Sequence, residues 1–195
     1  MNIKSHPIHI SMTLKRVLFI LILIIPKIAS AQLELYAKAN KDGSLEPVIN
    51  YNGRKALNEK ISITFFGLVR ESWSQALIGI AYSPSEIITL SASAGIEHGK
   101  RSPRYSASIF TKSNRNSLLI LGELGSGKSN YLYKINAFRQ FNDEISLGLS
   151  AWRYHGIGPN FRYFFSQLYS TFWLMPAYDH EIKQTRLIIG VSFKM

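Results

Sequence analysis

Residues 86–97 read EIITLSASAGIE, and their pattern decides the fold class. Ile88, Leu90, Ala92, Ala94 and Ile96 share one face of an extended chain. Ile87 apart, the other face is Thr89, Ser91, Ser93, Gly95 and Glu97. Successive side chains of a strand point to opposite faces, whereas a helix repeats its apolar positions every three to four residues. The stretch therefore reads as a strand with one apolar face and one small, polar face.

The same alternation recurs along the chain. Residues 144–152 (EISLGLSAW) set Ile145, Leu147, Leu149 and Ala151 against Ser146, Gly148, Ser150 and Trp152. Residues 185–195 (TRLIIGVSFKM) set Leu187, Ile189, Val191, Phe193 and Met195 against Arg186, Ile188, Gly190, Ser192 and Lys194. Residues 130–141 set Tyr131, Tyr133, Ile135 and Ala137 against Lys134, Asn136 and Gln140. Further strands are expected at 61–69, 73–82, 104–111, 117–124, 161–165 and 168–175, which makes ten. Residues 33–39 and 47–52, separated by the turn-like Asn40-Lys41-Asp42-Gly43, raise the count to twelve. No helical segment of useful length, repeat or composition shift interrupts the pattern.

One segment is different. Val17 to Ile25 is uniformly apolar, comes after Lys15-Arg16, and precedes Pro26 and Ala29-Ser30-Ala31. A basic flank, a short apolar stretch and an A-x-A site are the marks of a secretory signal peptide. The run is too short to span a bilayer as a helix, which takes roughly 20 residues. The expected organisation is a signal peptide at 1–31, cleaved after Ala31, and a single domain at 32–195. Of the 23 basic residues, Lys4, Lys15, Arg16 and Lys27 fall in the leader, which has no acids. The mature chain then holds 19 bases against 12 acids, or +7. Such a surface suits anionic partners. For an exported protein that means anionic lipid rather than nucleic acid. The chain has no cysteine, so disulfides cannot compensate for a small core.

Alternation by itself fits two architectures. A soluble sandwich buries the apolar faces; a transmembrane barrel turns them to lipid and its small polar faces inward. Three observations favour the barrel. The breaks between strands alternate in character, the set 176–184, 155–160, 125–129 and 98–103 being longer on average than the set between them. Aromatic residues gather near strand ends: Tyr131, Tyr133, Trp152, Tyr154, Phe161 to Phe165, Tyr169, Phe172 and Trp173. The chain ends inside a strand, with Phe193 two places from the terminus. In these features the mature chain resembles bacterial outer-membrane β-barrel proteins, although Met195 rather than an aromatic residue is last. The resemblance implies an all-β, closed antiparallel up-and-down transmembrane barrel of 10–12 strands in the cell outer membrane of a Gram-negative bacterium. It also implies contact with outer-membrane lipid and lipopolysaccharide, and insertion by the barrel-assembly machinery.

Residues 122–129 read GELGSGKS, a literal match to the phosphate-loop pattern G-x-x-x-x-G-K-[ST]. That chemistry would need Gly122, Gly127, Lys128 and Ser129 to open a helix. Residues 131–141 instead alternate as a strand, so a hairpin loop is expected and no nucleotide. The basic run 98–104 nominates Lys100, Arg101 and Arg104 for lipopolysaccharide phosphates. His155, Asp179 and His180 are the candidates for acid–base chemistry, although no metal-ligand spacing accompanies them. Neither a metal nor another cofactor is expected. The leading functional expectation is a non-enzymatic outer-membrane barrel with a structural, narrow-channel or surface-interaction role. Its rivals are a barrel enzyme acting on lipid or lipopolysaccharide, and a secreted soluble β-sandwich or ligand-binding barrel.

Overall fold

The computed structural model describes residues 30–41, 43–71, 73–98 and 103–195. Twelve strands account for nearly all of them: β1 Ser30–Ala39, β2 Leu45–Ala56, β3 Ile61–Arg70, β4 Trp73–Tyr82, β5 Ile88–Glu97 and β6 Pro103–Ser113, then β7 Asn116–Leu124, β8 Tyr131–Gln140, β9 Ile145–Trp152, β10 Gly156–Phe165, β11 Ser170–Asp179 and β12 Gln184–Lys194. Each pairs antiparallel with its sequence neighbours, and β1 pairs with β12, so the sheet closes on itself. The closing seam runs from Gln32 opposite Lys194 to Ala39 opposite Leu187. Closure leaves no edge strand, which is what a chain lacking disulfides needs if its backbone is to survive in hydrocarbon.

The alternation resolves in the sense expected for a membrane barrel. Apolar residues face outward: Ile96 is 71% exposed, Leu149 65% and Ile78 58%. Ser91, Ser93, Ser106, Ser108 and Ser117 line the interior. This arrangement excludes a soluble sandwich, whose apolar faces would be covered.

Both described chain ends lie at one end of the barrel, where Ala31 and Met195 exchange backbone hydrogen bonds. This is the terminal end; the opposite, distal end carries the β1–β2, β3–β4, β5–β6, β7–β8, β9–β10 and β11–β12 connections. Most of the expected leader, residues 1–29, lies outside the described residues. Ser30 and Ala31 are the first two residues of β1, opposite Arg54 and Gly53.

Two segments read as loops prove to be strand. Gly156 to Asn160 belong to β10, and Pro176 to Asp179 belong to β11. With them in the sheet, the connections at the two ends differ little in length, so the expected loop asymmetry largely disappears. Their turn-like composition has another cause. A Cβ on Gly158 would lie 1.9 Å from the Pro176 carbonyl oxygen, so glycine is what lets β10 and β11 touch. The β10–β11 pairing passes from Ile157 opposite Tyr178 to Phe161 opposite Leu174. It skips the stretch around Pro159, which has no N–H to donate.

The aromatic residues divide. Tyr105, Tyr131, Tyr154 and Tyr178 are exposed around the distal rim, and Tyr82, Phe141, Phe165 and Tyr169 around the terminal rim. Two such belts match the interfacial girdles of a membrane barrel. Trp152 and Trp173, which composition had grouped with the girdle, instead turn inward and are 5% and 2% exposed.

Candidate functional site in the barrel lumen

The interior is not uniformly filled. A cavity of about 730 Å³ runs from Ser30, Thr89 and Lys194 at the terminal end to Tyr36, Gln75, Glu123, Trp152 and His155 in the distal half. At about 30 Å³ per water, that is room for on the order of 20 water molecules.

Two clusters narrow the distal side. In the first, Tyr36, Trp152 and Trp173 meet across the lumen, with centroid separations of 5.5 to 6.2 Å and tilted or edge-on rings. Val48, Met175 and Ile188 pack behind them. Trp152 Nε1 donates to Asn136 Oδ1 at 2.6 Å. Trp173 lies over Gly190, whose absent Cβ would fall 2.5 Å from the indole. In the second, Arg104 is 2% exposed and donates to Glu97 and Glu123, each at 2.8 Å. Gln75 donates to Glu123, and Asn130 joins Arg104 to Glu97, drawing the β7–β8 loop down over the lumen. Arg153 secures that loop by donating to the carbonyls of Ser129 and Tyr131.

The cations below these clusters are less balanced. Lys134 stands 3.9 Å above the Trp152 ring, and the Arg162 guanidinium lies 3.7 Å from the centre of Phe138. Arg54 and Lys194 line the cavity nearer the terminal mouth. Among the described residues, Glu34 and Glu123 are the only acids on its wall. Glu123 is committed to Arg104, and Glu34 accepts from Asn50 at 2.8 Å. None of the ion pairs among the described residues involves Arg54, Lys134, Arg162 or Lys194. The lumen therefore presents surplus positive charge in a wall of hydroxyls and amides.

The residues singled out from sequence are dispersed. Arg104 is a correction: it is buried with two carboxylates and cannot reach lipopolysaccharide. Lys100 and Arg101 lie outside the described residues. His155 stands in the β9–β10 turn, wedged between Tyr36 and Trp152. Its Nδ1 is 3.2 Å from the Arg153 carbonyl, which can only accept, so Nδ1 carries the proton and Nε2 accepts from the Tyr36 hydroxyl at 2.9 Å. Asp179 is buried, accepts the Glu181 N–H at 3.0 Å and faces Arg186 at 3.7 Å. His180 is exposed at the tip of a different turn. These three residues form no nucleophile–base pair. Among the described residues no three His, Cys, Asp or Glu side chains converge as a metal site. In GELGSGKS, Gly122, Glu123 and Leu124 end β7, Gly127 takes φ +91° in the loop, and an antiparallel strand comes next instead of a helix.

Sequence reading missed Lys134 and Arg162 as cations of the lumen wall. The signal existed for Lys134, which shares a face with Asn136; nothing local marked Arg162.

No protein-family model matches this chain, and no curated protein sequence does. Solved structures match. The KdgM porin superposes with a TM-score of 0.59 at 11% identity, over 84% of this chain and 99% of the porin. The KdgM porin in complex with disordered oligogalacturonate gives 0.61 at 11% identity, over 85% and 99%. The NanC porin gives 0.53 at 10%, over 84% and 100%. The fold is that of a bacterial outer-membrane porin barrel. Identity this low speaks to the fold alone.

Proposed function

We propose that this protein is an outer-membrane channel: a narrow, porin-like passage whose lumen favours small anionic solutes. The observation that carries the reading is the hydroxyl-lined cavity of about 730 Å³ with unpaired cations on its wall. Rings of Arg and Lys select anions in pores, and a confined surface of one sign concentrates its counter-ions. The oligogalacturonate complex of the KdgM porin supports the reading, since that solute is acidic. The chain reaches the membrane by way of the 1–31 leader and the barrel-assembly machinery, and its apolar belt contacts outer-membrane lipid and lipopolysaccharide. A wedged His155, a committed Asp179 and a separate His180 give a lipid-modifying reaction no machinery.

Planar-bilayer recording of the refolded barrel tests the proposal. Under a KCl gradient the reversal potential is expected on the chloride side, and Lys134→Gln with Arg162→Gln is expected to move it toward zero. Cation preference, or no current at all, would exclude an anion passage.

A further inference from the structure

We infer that the β7–β8 loop, residues 125–130, is a hinged lid that switches the distal mouth between a lowered and a lifted state. The inference rests on the reading of the lumen as a passage, and it adds a device that sets how wide the passage is. It also gives a role to GSGKSN, which holds the end of the phosphate-loop match and lies between the strands.

The loop stands over the opening. Glu123 and Leu132, inward residues near the ends of β7 and β8, lie on the cavity wall. The segment that joins these strands therefore begins where the cavity meets the distal mouth. Asn130 donates to Glu97 at the end of β5 and accepts from Arg104. Neighbouring strands are about 4.8 Å apart, which sets β8 roughly 14 Å from β5 along the sheet. A bond between the ends of those two strands cuts across the curve of the wall, so the loop leans inward. Gly125 makes the lean possible: a Cβ there would fall 2.1 Å from the Asn130 amide nitrogen and 3.0 Å from the Glu97 carboxylate.

What holds the loop down is polar and separable from the wall. Residues 125–130 contain no apolar side chain, so hydrophobic burial does not fix them. Arg153, in the β9–β10 turn, donates to the Ser129 carbonyl at 2.7 Å and, at the foot of the loop, to the Tyr131 carbonyl at 2.6 Å. The Tyr154 hydroxyl reaches the same Ser129 oxygen at 3.4 Å. Both anchors keep charged partners when the loop lifts. Arg153 stays with Glu181, and Glu97 stays with Arg104, which also retains Glu123. Water takes over the released amide and carbonyl.

Neither state strands a buried charge. The two arrangements differ by a few hydrogen bonds exchanged with water, each of small net worth. Segments held mainly by such bonds, with few apolar contacts, are the ones that open locally. Gly125 adjoins the end of β7 and Gly127 takes φ +91°, so pivots are in place at one foot and near the tip. Leu124 opposite Tyr131 closes the ladder beneath and confines the movement to the six residues.

Two readouts test the lid, one of current and one of loop position. Single-channel recording of the refolded native barrel is expected to show two levels, the higher one with the loop lifted. Excising residues 126–129 leaves Gly125-Asn130 as a two-residue hairpin turn, a connection glycine favours, and is expected to hold the channel at the higher level. Arg153→Gln and Gly125→Ala loosen the latch at different points. Each is expected to raise the time spent at the higher level about fivefold or more, the worth of roughly one hydrogen bond. Independently, trypsin in detergent cuts after Lys128, which is exposed near the tip of the loop. Cutting needs an extended segment, so its rate follows the lifted population, and both variants are expected to be cut about fivefold faster. Mass spectrometry of the fragments identifies the cut. Lys55→Gln, on the exposed end of β2, leaves both readouts unchanged. A retained shift in gel mobility on heating certifies that each variant is folded, and having two variants keeps the test alive if one fails to fold. Excision that leaves the level of a conducting barrel unchanged, or cutting no faster in either variant, would overturn the lid. Faster cutting with no current in any chain, the excised one included, removes the passage and leaves the hinge.

Discussion

At the scale of single residues, Arg104 shows how burial converts a surface motif into a structural one. In sequence it closes a basic run that reads as a loop. In the barrel it is almost fully enclosed between Glu97 and Glu123. Removing one member of a buried ion network leaves the remaining charges unpaired, at a cost of about 3–5 kcal/mol. Arg104→Ala is therefore expected to destabilise the barrel by that amount in urea unfolding monitored by tryptophan fluorescence. Replacing all three with Arg104→Met, Glu97→Gln and Glu123→Gln is expected to recover most of the loss. Equal stability of Arg104→Ala and the native chain would show that the network contributes nothing.

His155 makes a second test at this scale, because its turn lies outside the strands. Burial beneath Tyr36 and Trp152, with the positive charges of Lys38, Lys134 and Arg186 nearby, pushes its imidazole down to about 3. An imidazole in the unfolded chain titrates near 6.5. Between these values the unfolded state takes up a proton that the folded state refuses, so stability declines as pH falls from about 6.5 toward about 3. Above pH 6.5 the group has no effect. His155→Asn is expected to flatten this part of the stability–pH curve relative to the native chain. Parallel curves for the two proteins would show that His155 is not held neutral.

At the scale of elements, the strands were legible because their period is short and local. All ten strands expected from alternation are present, and so are the two that completed the twelve. Boundaries failed where glycine and proline served packing instead of turning. Gly158 and Pro176 face each other across β10 and β11, and neither sequence neighbourhood contains the partner that explains it. The claim separates two glycines. Gly158→Ala sets a methyl against a backbone oxygen that cannot move away, an overpacking expected to cost at least about 1–3 kcal/mol. Gly122→Ala on β7 meets nothing within 4 Å and is expected to stay within about 0.5 kcal/mol of the native chain. Equal unfolding midpoints for both variants would refute the close-approach account. The inward turn of Trp152 obeys a rule that sequence did contain, since it alternates with Ser146, Gly148 and Ser150. Its place there outweighs its resemblance to an interfacial girdle.

At the scale of the whole molecule, closure joins β1 to β12 and commits the apolar belt to a membrane. That commitment has biochemical consequences. The protein should fractionate with the outer membrane, resist extraction without detergent, and migrate differently on gels before and after boiling. The mature chain should begin at Gln32, which mass spectrometry of the purified barrel reads directly. Cleavage there removes Ser30 and Ala31 from β1 but keeps its pairing with β12 from Gln32 opposite Lys194 onward. Recovery from the periplasm in soluble form would contradict the barrel in its membrane setting.

Sequence alone determined the strand periodicity, because that depends on side chains two residues apart; the outward sense of the apolar faces and the closed barrel were expectations that the exposed belt and the pairing of β1 with β12 decided. Sequence also raised the expectation of a leader, through a contiguous run. Only the tertiary structure decided what the lumen contains. Arg162 and Lys134 come from β10 and β8, Tyr36 and Trp152 from β1 and β9, and Arg104, Glu97 and Glu123 from three further strands. Their meeting depends on the curvature and register of twelve strands at once, which no local pattern encodes. The charge surplus that gives this barrel its proposed role therefore emerges only after closure, when residues far apart in the chain face one another across the lumen.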